Sequence, residues 1–427
     1  MHPPAPQSTE ALLFSVLLQL IVVIGVARAF HTLFRRFGQP GVVGEIVAGL
    51  ALGPSGFGLV FPALEKSLFG GGSAAAITII SQIGLLLLMF QIGADFEFNQ
   101  LKGRRARTGV LAVAGASLTV PFILGLGLGY LSAPVFAPHI DRLTYSLFVG
   151  VAVAITAVPV LGRILSQYDM TRTEVGVVAI SAAAINDVVG WVALAGISAY
   201  AASRFSGLHM VLTVGGLALL MAALWLVLAP LADRLIKTFP LQRGDLPPNL
   251  TAIVLCLIFA LGLCTYKLGI FAIFGGFSAG LLFFKHTSFV EAWRRQVGQV
   301  VTVMLLPVFF LYTGLHTNLL GLTTMNDLPW LGAILAVAIL GKMAPVYLAG
   351  RAAGFPHADA SLLGVLMNTR ALMELIVLNV GYQMGFIPQR IFTMLVIMAV
   401  VTTVMTGPLL KVLLAARARL QPAVSPA

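Results

Sequence analysis

The chain has 427 residues, of which 59% are hydrophobic and only 10% charged, with a mean hydropathy of +0.99. So few charges do not cover a water-soluble surface of that size; a soluble globular fold is excluded and an all-α polytopic membrane protein is expected. The formal net charge of +11 reads as a topology signal and not as a nucleic-acid surface, because the positive residues gather in loops on one side.

A helix crossing the hydrocarbon core needs about 20 apolar residues. Thirteen such spans are predicted, at about 11–34, 42–60, 74–95, 108–131, 143–167, 174–200, 208–231, 249–266, 268–285, 298–317, 329–350, 360–384 and 389–415. Span 1 has no Lys or Arg before Arg28 and reads as a retained helix rather than a cleaved leader. Span 2 carries Glu45 near its start. Span 8 holds both cysteines, Cys256 and Cys264, expected there as inert core thiols. Asp95 and Glu97, ending span 3, are expected to be solvated. Nineteen Lys and Arg fall in the loops of one side and the C-terminus, against five in the opposite loops. This bias predicts an outside N-terminus and a cytoplasmic C-terminus.

Spans 2 and 9 share a G-x-x-x-A-G pattern, Gly44-Glu45-Ile46-Val47-Ala48-Gly49 and Gly275-Gly276-Phe277-Ser278-Ala279-Gly280. Thr156 in span 5 and Thr369 in span 12 both sit in polar interruptions. Six helices (about 11–200), a linking helix (about 208–231) and six more (about 249–415) predict an inverted repeat, since the odd offset flips the second half. Residues 1–427 are expected to form a single transmembrane domain without a soluble C-terminal regulatory part.

An ionisable group in hydrocarbon is costly, so each one inside a span is a functional candidate. Five stand out: Glu45, Asp187, Lys342, Arg370 and Glu374. Asp187 lies at the centre of span 6, preceded by Asn186. Burial penalises its charged form, which suits it to trade a proton for a cation. Oxygen ligands suit hard cations, and Asn186 supplies a carbonyl oxygen or orients its neighbour. In span 5, Pro159 removes a backbone donor and clashes with the carbonyl four residues back; Thr156 sits just before it. An unwound segment there offers carbonyl ligands and opposed half-helix dipoles. Span 12 is the expected mate, reading Asn368-Thr369-Arg370, with Glu374 placed to pair with Arg370 at i+4. That pair is expected to neutralise the ends of crossed half-helices. Lys342, in span 11, is expected to be a counter-charge for an acidic group, and Glu45 either lines an access funnel or caps an interfacial helix end. The sequence holds no nucleotide-binding loop, zinc-protease motif or metal-spaced histidines, so neither an enzyme activity nor a cofactor is expected.

Four elements, Gly44-Glu45-Ile46-Val47-Ala48-Gly49 with Leu52-Gly53-Pro54-Ser55, Thr156-Ala157-Val158-Pro159, Asn186-Asp187, and Asn368-Thr369-Arg370-Ala371-Leu372-Met373-Glu374-Leu375, occur in the order in which they resemble the monovalent cation:proton antiporter-2 family, within the sodium/hydrogen exchanger superfamily. The resemblance implies a thirteen-helix fold with two crossed discontinuous helices, Asp187 exchanging cation for proton, and Thr156 and Asn186 beside it. It implies a core that moves against a separate dimerisation domain, a homodimer in a bacterial-type inner membrane, and Na+ or K+ as cargo. Relatives with Asn-Asp on span 6 and no Lys in span 10 are usually electroneutral, as expected here. The alternative is a sodium-coupled organic-anion symporter of similar architecture.

Overall fold

The computed structural model describes residues 9–39, 41–69, 73–95, 104–156, 158–171, 173–202, 215–216, 218–220, 222–241, 244–268, 272–322, 327–370 and 372–420. Every element among them is helical. In chain order they are α1 (Thr9–Arg36), α2 (Gly41–Leu52), α3 (Phe57–Val60), α4 (Pro62–Phe69), α5 (Ser73–Ala94), α6 (Arg104–Phe136), α7 (Arg142–Ala154), α8 (Val158–Gln167), α9 (Glu174–Ala202), α10 (Ala229–Thr238), α11 (Pro248–Lys267), α12 (Ala272–Gly280), α13 (Thr287–Gln296), α14 (Gly298–Leu315), α15 (Asp327–Ala352), α16 (His357–Met367), α17 (Leu372–Gln383) and α18 (Gln389–Leu420). Among the described residues, ten stretches are long and apolar enough to cross a membrane, and shorter apolar helices accompany them. Predicted span 9 is the clearest departure in length. Its helix ends at Gly280, five residues of turn follow, and then α13 begins. The α13 sequence Thr-Ser-Phe-Val-Glu-Ala-Trp-Arg-Arg-Gln buries Phe289, Val290 and Trp293 on one face and is too polar for a span.

The chain divides into two compact units, each drawn from both halves of the sequence. One holds Met1–Phe30, Glu45–Glu97 and Ser198–His316; the other holds His31–Gly44, Phe98–Ile197 and Thr317–Ala427.

In the first unit glycine sets the packing. A Cβ added to Gly49 would collide with the Phe310 carbonyl of α14, and one on Gly314 with the Gly49 carbonyl. Likewise a Cβ on Gly280 would strike the Phe90 carbonyl of α5, and one on Gly93 the Phe277 carbonyl of α12. Backbones therefore touch in the pairs α2–α14 and α12–α5, a closeness that small residues permit. The final glycine of each G-x-x-x-A-G copy makes the matching contact. An inverted duplication requires that exchange of partners, span 2 on span 10 and span 9 on span 3. Cys256 and Cys264 are exposed on α11, so they face outward from the helix and are not core thiols; their eight-residue spacing puts both on one face.

In the second unit, spans 5 and 12 are each broken. Helix α7 is capped by Asp141, whose carboxylate accepts the Thr144 N–H at 2.9 Å, and it stops at Ala154. Ile155 leaves the helix with φ −67° and ψ 145°. The cause lies four residues on, because Pro159 has no N–H to offer a helical carbonyl at Ile155. In span 12, α16 ends at Met367 and α17 resumes at Leu372. The Asn368 and Thr369 N–H groups tighten onto the Val365 and Leu366 carbonyls at 3.2 and 3.1 Å. This break contains no proline. Ala371 lies outside the described residues.

Candidate functional site

The two breaks meet. The Thr156 hydroxyl donates to the Met367 carbonyl at 3.2 Å, joining the gap in span 5 to the last carbonyl of α16. Unwinding at Ile155 frees the final carbonyls of α7, and two cations take them up. Lys342 Nζ of α15 donates to the carbonyls of Ala154 and Ile155, the latter at 3.0 Å. Arg370 Nη1 donates to the Ala152 carbonyl at 3.3 Å, and Nη2 to the Ala338 carbonyl of α15 at 3.2 Å. A helix C-terminus carries partial negative charge, so both cations sit where the α7 dipole favours them. The side chains of Lys342, Arg370 and Glu374 are all fully buried.

The carboxylates occupy the opposite poles. Glu374 lies in the first turn of α17, with Oε2 3.8 Å from Arg370 Nη1. Asp187 lies near the middle of α9 and is 2% exposed. The Val158 N–H, at the positive start of α8, is turned towards its carboxylate, yet neither carboxylate oxygen completes a hydrogen bond of ordinary geometry among the described residues. Asn186 is fully buried, and its Nδ2 donates to Ser117 Oγ of α6 at 2.6 Å. Its Oδ1 has no partner among the described residues, nor have the side chains of Asn368 and Thr369. Asp187 and Asn186 of α9, and Asn368 and Thr369 at the break in span 12, thus carry side-chain oxygens without a partner among the described residues, while the Lys342 and Arg370 donors hold the carbonyl end of α7. Such a set matches a small hard cation, which binds through oxygen alone.

Several expectations change in this light. Lys342 directs its hydrogen bonds to backbone carbonyls, while Asp187 and Glu374 act on it through space, as on a counter-charge. Glu45 is fully buried in α2 rather than facing solvent, and Oε1 pairs with Arg28 Nη1 of α1 at 3.5 Å. Asp95 pairs with Arg294 of α13 at 2.7 Å, whereas Glu97 lies outside the described residues. Ser117 and the carbonyls of Ala152, Ala154, Ile155, Ala338 and Met367 were not singled out by sequence. Backbone atoms leave no compositional trace, and one serine in an apolar helix has no distinguishing neighbour.

A family model described as "Sodium/hydrogen exchanger, transmembrane" matches residues 20–416. The chain belongs to that family. It is therefore a secondary transporter and not an enzyme. It is 36% identical over 407 residues to the Na(+)/H(+) antiporter NhaS4 of Synechocystis sp., the match covering 93% of this chain and 96% of that one. It is 33% identical over 401 residues to Cation/H(+) antiporter 17 of Arabidopsis thaliana, covering 92% of this chain but 48% of the plant protein. Among solved structures, the sodium proton antiporter MjNhaP1 from Methanocaldococcus jannaschii at pH 8 superposes with a TM-score of 0.64 at 16% identity, covering 96% of this chain and 99% of that one; it shares the fold. The family kinship agrees with the sequence-based expectation of an integral membrane antiporter architecture.

Proposed function

We propose that this exchanger moves a monovalent cation, Na+ or K+, against protons, with the two competing for Asp187. A single carboxylate does not hold both at once, and that exclusion couples the fluxes. The observation that carries this reading is the burial of Asp187, with neither oxygen partnered among the described residues, beside two broken helices. Asn186 Oδ1 and Thr156 Oγ1 complete the ligand set. Thr156 spends its proton on the Met367 carbonyl and keeps a lone pair for the cation. Pro159, Asn368, Thr369, Arg370 and Glu374 support the crossover, Lys342 neutralises its carbonyl ends, and Glu45 is structural through Arg28. The relatives matched are named as antiporters, which disfavours the organic-anion symporter.

The reading extends to a homodimer in a bacterial-type inner membrane, with the N-terminus outside, the C-terminus in the cytoplasm, and an elevator-like alternating-access cycle. One-for-one exchange is part of it and rests on the Asn186-Asp187 pair. The absence of Lys from span 10 lends little, because Lys342 of span 11 reaches the site. The test uses everted vesicles with a pH-sensitive dye, titrated with Na+, K+ and Li+. The wild type should release its proton gradient on addition of one or more of these salts. Asp187→Asn should reach the membrane in normal amounts and show no cation-dependent signal; retained exchange removes Asp187 from the mechanism.

A further inference from the structure

Asn186 has two chemically opposite ends, an acceptor oxygen and a donor NH2, and which one faces the site decides whether a cation is welcome there. Orientation of such an amide is fixed by its hydrogen-bond network. Here the network begins outside the site. Ser117 of α6 is fully buried, and its hydroxyl donates to the Ala114 carbonyl at 3.1 Å. A serine hydroxyl has one proton. With that proton committed, Ser117 Oγ only accepts, so the group 2.6 Å away must be the Asn186 Nδ2 donor. Oδ1 is thereby turned from Ser117, buried and unpartnered among the described residues, one residue before Asp187. The reversed amide would present two N–H groups, which bond a carboxylate and repel a cation.

We propose that Ser117 is a positioning residue that fixes Asn186 with its oxygen available to the cargo, and so sets the affinity for the cation without acting on the proton. The proposal rests on the assignment of Asp187 as the exchange site. A hard cation needs every oxygen ligand it is offered, whereas a proton on Asp187 needs none from Asn186.

The test measures cation-driven proton flux in proteoliposomes across Na+, K+ and Li+ concentrations, with size-exclusion profile and thermal unfolding recorded for each variant. Ser117→Ala should raise the half-saturating cation concentration by about threefold to tenfold, the worth of one hydrogen bond, with little change in maximal rate. Ser117→Thr retains one donor and the acceptor and should restore the wild-type value. On an Asn186→Ala background, Ser117→Ala should have no further effect, since a residue acting only through its neighbour is not additive with it. Should Ser117→Ala not fold, Ser117→Cys keeps the volume with a weaker acceptor and should shift affinity in the same direction. Unchanged half-saturation in Ser117→Ala or Ser117→Cys, or an effect that persists in full on Asn186→Ala, overturns the proposal while leaving the exchange site standing. Exchange retained by Asp187→Asn, run alongside, would instead remove the site itself.

Discussion

On the proposed reading, Asp187 and its neighbours divide into groups that bind and groups that hold the binding site open. Arg370 belongs to the second kind. It is fully buried, bonds two carbonyls and pairs with Glu374. Removing one member of a buried pair strands the other, at a cost of about 3–5 kcal/mol. Arg370→Ala should therefore lower the unfolding temperature in detergent sharply. Arg370→Lys keeps the charge but not the fork and should fall between it and the wild type; a melting curve for Arg370→Ala equal to wild type would contradict the support role. At this scale the ionisable residues were legible in the sequence because hydrocarbon makes each one conspicuous. Their partners were not. Lys342 is legible as a counter-charge, but its acceptors, the Ala154 and Ile155 carbonyls, are not, because a backbone acceptor becomes available only once the chain has unwound. Ser117 was hidden for the opposite reason, since a buried serine that bonds back to its own helix is commonplace.

Among the elements, the two breaks and the glycine contacts govern behaviour. Thr156→Val keeps the shape of the side chain but loses the link from span 5 to Met367 and an oxygen at the site. It should weaken cation affinity, whereas Thr156→Ser should not, as half-saturation in the vesicle assay would report. In the first unit, Gly49→Ala and Gly280→Ala drive a methyl into a facing carbonyl and should each cost about 1–3 kcal/mol by overpacking. Gly332→Ala meets nothing within 4 Å and should be neutral or slightly stabilising, because alanine favours a helix. Equal melting temperatures for all three would refute the close backbone contact. The break in span 5 was legible from Pro159, whose backbone chemistry is local. The break in span 12 was legible from the polar run Asn368-Thr369-Arg370. Helix α13 gives no span signal because its ten residues are too polar and too short to cross a membrane, and the turns after Gly280 read as part of span 9 because Leu281–Phe284 are apolar. Glu45 was misjudged from its place near a helix start, where its contact with Arg28 comes from another helix and not from nearby sequence.

For the whole molecule, the repeat read from two six-residue matches gains a physical reason in the exchanged glycine contacts of α2–α14 and α12–α5. Each compact unit combines helices from both halves, an arrangement that no single stretch of sequence announces. If transport is one-for-one, a membrane potential imposed on proteoliposomes should leave the exchange rate unchanged; a rate that follows the potential would establish net charge movement. The most direct measurement is apparent cation affinity across pH in purified, reconstituted protein. With cation and proton competing for one carboxylate, the half-saturating cation concentration should climb as pH falls, approaching about tenfold per pH unit once Asp187 is mostly protonated, and should level off at high pH. An affinity that stays constant over the whole range would contradict a shared site at Asp187.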